Sequence, residues 1–148
     1  RLSLALWSRW PAACRPGCGI PESALDKAKA MTKRHRASFK AAHQSGIAIA
    51  MGTDAGTPFN YHGDNAQELE RMVAFGMTPM EAIVASTATA ACLIGIQGSV
   101  GTVTKGMDAD LVILKGNPLR RIEVLRDRDK IMGVMKAGKF VSGPLART

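Results

Sequence analysis

The sequence predicts an α/β fold in which helices cover a buried strand and a small β-rich segment follows. Three observations carry that prediction. The first is the unbroken apolar run Ile47-Ala48-Ile49-Ala50-Met51 between Gly46 and Gly52. A strand with one wet face alternates apolar and polar side chains, whereas a strand of a parallel sheet is covered on both faces and does not. The second is helical periodicity, with start and stop signals, on both sides of that run. The third is the change of texture after Gly95, where short β-branched stretches alternate with glycine turns.

Pro21-Glu22-Ser23 opens a helical pattern whose Leu25, Ala28, Met31, Phe39 and Ala42 are expected to share one face, with Gly46 as its stop. After the strand, Asp64 with Gln67 three residues on reads as a capping-box-like start. Leu69, Met72 and Val73 then form an apolar stripe that ends near Gly76. Thr78-Pro79-Met80-Glu81 is a stronger start, with Thr at the cap, Pro at the first helical position and Glu at the third. That helix is expected to run unbroken to about Ile94. Beyond it, SVGTVTKGMDADLVILKGNPL and KIMGVMKAGKFV read as β-rich runs, with Lys136-Ala137-Gly138-Lys139 as a hairpin loop. The chain therefore divides into residues 1–19, 20–95 and 96–148.

Residues 1–19 differ in character from the rest, holding both tryptophans together with Cys14 and Cys18. The apolar stretch Leu2 to Trp7, interrupted by Ser3 and followed by Arg9, falls short of the roughly 7–15-residue centre of a signal peptide. Three cysteines close no disulfide framework, and Cys92 is expected to be a small core residue. With 46% apolar and 22% charged residues the 148-residue chain has the composition of a globular domain, and no run approaches the roughly 20 apolar residues of a membrane span. A cytoplasmic location is expected. Net charge is +8, but residues 1–46 carry +7, 47–104 carry −4 and 105–148 carry +5. The polar cluster lies in the acidic part and aromatic residues are 5% of the chain, which speaks against nucleic acid as a partner.

That cluster is Asp54 in Gly52-Thr53-Asp54-Ala55-Gly56, followed by His62, Asp64 and Asn65. Asp is a poor strand residue, and burying its carboxylate is costly unless it is paired or bound to a metal. At the carboxyl end of a parallel strand, however, the chain reaches the face where ligands bind. Spacing alone leaves two readings open for Asp54, a turn cap or a site residue. His35 and His43 lie eight residues apart on one helix and so point about 80° apart, which makes them poor joint ligands.

Taken together, GIAIAMGTDAGTP, HGDNAQELERMV, GMTPMEAIVASTATAACLIG, VGTVTKGMDADLVIL and VMKAGKFV resemble, in this order, the C-terminal part of the metal-dependent amidohydrolase superfamily. The likeness is to its imidazolonepropionase-like and Xaa-Pro or basic-residue dipeptidase branch. It implies the last part of a (β/α)8 TIM barrel, with Asp54 at the end of the eighth strand, followed by a small β-rich segment of a composite sandwich. It further implies that Asp54 is the carboxylate associated with Zn²⁺ or a similar divalent metal, acting as general base and then general acid on a small amide or dipeptide substrate. His62 and Asn65 would shape the substrate pocket; the competing reading makes them a loop residue and part of a helix start. Residues 1–19 stand where the seventh strand would be and do not match it. The histidines and bridging group that complete such a site are not found here, so the chain is expected to be the final third of a longer enzyme. Alone it is expected to be inactive and prone to self-association. The alternative expectation is a non-catalytic α/β scaffold or interaction module.

Overall fold

The computed structural model describes residues 2–5, 21–56 and 61–147. Pro21 precedes helix α1 (Glu22–Gln44), which delivers the chain into strand β2 (Ile49–Gly52). The handover is a Schellman motif. Gly46 takes φ +71°, its N–H donates to the His43 carbonyl at 3.0 Å, and Ile47 N–H donates to the Ala42 carbonyl at 3.1 Å. Strand β2 pairs in parallel with strand β1 (Leu2–Ala5), Leu2 facing Ile49 and Ala5 facing Gly52. Part of the atypical segment 1–19 thus supplies a parallel sheet neighbour, because backbone pairing asks little of side-chain identity. Cys14 and Cys18 lie outside the described residues.

Helices α2 (Gln67–Ala74), α3 (Pro79–Ser86) and α4 (Ala88–Leu93) all contact β2. Phe39, Ala42, Ile49, Leu69, Met72, Met77, Ala82, Ala85 and Ile122 form the core cluster. The expected stripe of α2 is there, with Leu69 and Met72 buried and Val73 packed against them. Of the expected face of α1, Phe39 and Ala42 are buried and Met31 is 67% exposed, while the side chains of Leu25 and Ala28 lie outside the described residues.

The Thr78 start has its full reciprocal cap. Glu81 N–H donates to Thr78 Oγ1 at 3.2 Å, and Thr78 N–H donates to Glu81 Oε2 at 2.7 Å. The single helix expected from there to Ile94 is instead two. Thr87, at φ −119° and ψ −89°, breaks it. The Ser86 and Thr87 hydroxyls both donate to the Ile83 carbonyl, at 2.9 and 2.7 Å, and Thr87 N–H turns to Val84 instead. Short hydroxyl side chains compete in this way for the carbonyl that an α-helix would use.

The tail contains one antiparallel sheet in the order β3 (Leu111–Leu114), β4 (Ile131–Lys136), β5 (Lys139–Ser142). Residues 99–110, expected to be β-rich, form turns and irregular backbone. At Gly101 a side-chain carbon would stand 2.8 Å from Ala91 Cβ and 3.1 Å from Ala88 Cα, so this loop lies directly on α4. The hairpin loop falls where expected, with both Ala137 and Gly138 at positive φ, 47° and 78°. Asp110 Oδ1 accepts from Ala137 N–H at 2.7 Å and ties the turn to the start of β3.

Ala137 holds a left-handed conformation that favours Asn or Gly, so Ala137→Asn should raise stability by about 0.5–1 kcal/mol, whereas Gly76→Ala, at φ +121° in open space, should lower it by about 1 kcal/mol in urea unfolding. Hydrogen bonds from Thr78 N–H and hydroxyl, and then His43, hold the Glu81 carboxyl below its ordinary range. A depressed carboxylate stabilises the fold above its ordinary pKa, and that contribution is lost as pH falls through the folded value. Melting curves recorded down the acid range should therefore show a smaller loss in Glu81→Gln than in the parent chain.

Candidate active site

The apolar cover of β2 ends at Gly52, and Thr53 and Asp54 follow at the carboxyl end of the strand. Gly52 itself belongs to the strand, and the left-handed conformation falls on Asp54, at φ +45°, and on Gly56, at φ +109°. A non-glycine residue in that region is uncommon, and Asp is one of the few that adopts it readily. The turn re-aims the Asp54 side chain away from the strand's alternation, and in this chain it is exposed.

His62 is brought to the same turn. A side-chain carbon at Gly56 would lie 3.2 Å from His62 Nε2, so glycine leaves the space that the imidazole occupies. Asn65 is exposed, and its carbonyl accepts Glu68 N–H at 3.0 Å in the turn that leads into α2. Its observed bond is thus that of a helix-start residue.

Asp64 is not the cap of α2. The helix begins at Gln67 behind Ala66, and the Asp64 carboxylate instead meets Arg126, whose Nε lies 3.2 Å from Oδ1. Arg126 also reaches Glu70 at 3.1 Å. Beside Asp64 and Arg126 lies a cleft of about 250 Å³, lined by Tyr61, His62, Asp64, Leu125, Arg126 and Arg128 among others. Arg126 and Glu70 went unnoticed in the sequence. The available hint was the charged run Arg126-Asp127-Arg128-Asp129-Lys130, which by itself reads as a solvated loop.

His43 and His35 stay apart from this site. His43 Nε2 lies 3.4 Å from Glu81 Oε1, linking the end of α1 to the start of α3, and partial burial lowers the pKa of His35. Among the described residues no three His, Cys, Asp or Glu side chains group to hold a metal ion. A lone carboxylate does not fit zinc, which takes three or four protein ligands. Also among the described residues, no helix is long and apolar enough to cross a membrane.

Comparison with known proteins matches residues 14–141 to the Amidohydrolase family profile. The chain is 35% identical over 130 residues to ochratoxinase of Aspergillus niger, covering 86% of this chain and 26% of that protein. It is 32% identical over 112 residues to imidazolonepropionase of Chloroflexus aggregans, covering 72% and 25% respectively. Among solved structures, a Xaa-Pro dipeptidase with bound methionine in the active site superposes with a TM-score of 0.80 at 33% identity, covering 93% of this chain and 33% of that one. The Aspergillus niger ochratoxinase crystal structure gives 0.78 at 31% identity, covering 97% and 32%. The chain thus spans about a quarter of the length of the curated relatives it matches. Its α/β architecture is that of the C-terminal portion of a TIM barrel with a small antiparallel sheet after it, as expected.

The donor set carries a prediction of its own. Because no metal-holding group of side chains forms among the described residues, Asp54→Asn in the 148-residue chain, loaded with zinc and gel-filtered, should leave the retained zinc unchanged by elemental analysis.

Proposed function

Because the chain belongs to the amidohydrolase family, we propose that it is the C-terminal part of a metal-dependent hydrolase of C–N amide bonds and that Asp54 is its proton-transfer group. The observation that carries the reading is the placement of Asp54. It is the first charged residue after a covered parallel strand, it takes a left-handed conformation at the carboxyl end, and an imidazole stands over its turn. Ligand chemistry in barrels gathers at that end of the strands.

Amide cleavage needs a base for the attacking water and an acid for the leaving nitrogen, and one carboxylate that gains the proton in the first step can return it in the second. Asp54 takes both roles, its carboxylate oxygen holding the proton between them. Zn²⁺ or a similar divalent ion belongs to the reading as the source of Lewis acidity. Its ligands exceed what the described residues supply, so hydrolysis is assigned to the assembled enzyme and not to these residues alone. His62 shapes the substrate pocket beside Asp54, and Asn65 contributes to the same mouth from the start of α2.

The names of the relatives support a substrate class of small amides: a Xaa-Pro dipeptidase among the structures, ochratoxinase and imidazolonepropionase among the sequences. The class proposed is a dipeptide or a cyclic amide.

The test joins this chain to the N-terminal portion of a matching relative and measures dipeptide hydrolysis with added zinc. Asp54→Asn should lower kcat by about 10²–10⁴-fold with the circular dichroism spectrum unchanged. Parental turnover in that variant sinks the catalytic assignment and leaves the scaffold reading in its place.

A further inference from the structure

Arg126 lies outside every motif that the sequence singles out, yet its guanidinium reaches two carboxylates from distant segments. Nε donates to Asp64 Oδ1 at 3.2 Å, and Nη1 donates to Glu70 Oε2 at 3.1 Å, across separations of 62 and 56 residues. Asp64 stands two residues after His62, and Glu70 stands in α2. The three side chains are 33%, 32% and 22% exposed, so water screens them less than it does a surface pair. Partial burial alone would lower the Arg126 pKa, but the hydrogen bond that Arg126 donates to Asp64 and the charges of Glu70 and Asp64 outweigh it and raise it.

The segment that carries His62 has weak local definition. Gly63, at φ +89° and in open space, joins His62 to Asp64, and glycine takes many other conformations at similar cost. Ala66 at the cap position of α2 brings no side-chain hydrogen bond. The entry is bonded by backbone turns, Gln67 N–H to the Asp64 carbonyl at 3.2 Å and Glu68 N–H to the Asn65 carbonyl at 3.0 Å. A rigid planar fork that fixes Asp64 relative to Glu70 restricts how that entry can swing.

We propose that Arg126 is a positioning residue: by tying Asp64 to Glu70 it sets the path of residues 61–64 and so seats the His62 ring against the Asp54 turn. Its meaning for catalysis rests on the reading of Asp54 given above, but the positioning itself is measurable without turnover.

The experiment uses NMR on the 148-residue chain, whose three histidines make the ring signals few, with His62→Gln identifying one set. In Arg126→Ala the His62 ring signals should shift, and amide exchange at Gln67 and Glu68 should quicken by about three- to tenfold, the range for one partly exposed charge-assisted contact. His35, His43 and the amides of β4 should be unmoved. Arg126→Lys, a point charge without the fork, should fall between parent and Arg126→Ala, and Asp64→Asn should move the His62 signals as Arg126→Ala does. Unmoved His62 signals in both Arg126→Ala and Asp64→Asn overturn the proposal. So does a uniform rise of exchange across the chain with all three histidines shifting, which marks a general staple. Parental hydrolysis in Asp54→Asn would remove the catalytic reading and leave these results unaffected.

Discussion

The burial of strand β2 is the constraint from which the rest follows. Ile49 and Ala50 are 4% and 0% exposed, and three helices pack on this strand of four residues. A strand covered in that way accepts no polar side chain along its length, because an unpaired polar group there costs more than the burial returns. Its backbone groups must be bonded within the sheet, which β1 does along one edge. Polar residues are therefore pushed to the strand's ends, and Thr53 and Asp54 arrive as soon as the cover stops. The Schellman end of α1 serves the same constraint from the other side, turning the chain into the strand without leaving the last helical carbonyls unbonded.

Features that depend on a few neighbouring residues were legible in the sequence. Gly46, Gly76 and Gly95 each occupy the left-handed position after a helix, the Thr78–Glu81 box closes as its spacing requires, and Ala137-Gly138 turn where a hairpin was expected. Features that depend on competition or distance were not. Thr87 breaks a helix that periodicity carried through, because periodicity does not register two hydroxyls contending for the Ile83 carbonyl. Met31, expected on the buried face with Phe39, is 67% exposed. Of the candidate site, the turn at Asp54 and the nearness of His62 were readable from the glycine-flanked segment. The partner of Asp64 was not, since Arg126 is 62 residues away in a run whose charges look like those of any loop.

The link between Arg126 and Asp64 also bears on how the two parts of the chain are joined. Ile122, just ahead of Arg126, is one of the buried core residues shared with α1, β2 and α2. The short turn Ile122–Leu125 packs on α2, so the β-rich tail is anchored to the helical layer by an apolar contact and by an ion pair side by side. The apolar contact supplies most of the adhesion, being non-directional and roughly proportional to area. The ion pair adds little adhesion at this exposure but much direction, since a planar fork accepts carboxylates only at certain angles.

Asp54 combines a local property with one that no single strand can provide. Its left-handed backbone is set by the turn between β2 and Gly56, which this chain contains in full. The proton transfer proposed for Asp54 gains strength where bulk water is excluded, since competing hydration weakens a carboxylate's interactions. In this chain Asp54 is exposed, and the imidazole of His62 occupies the space that Gly56 leaves at its turn. In a barrel the enclosure comes from the ends of several strands at once. The conformation and the enclosure thus have different sources: the first is written in five residues around Asp54, while the second takes the ends of more strands than the parallel pair β1 and β2.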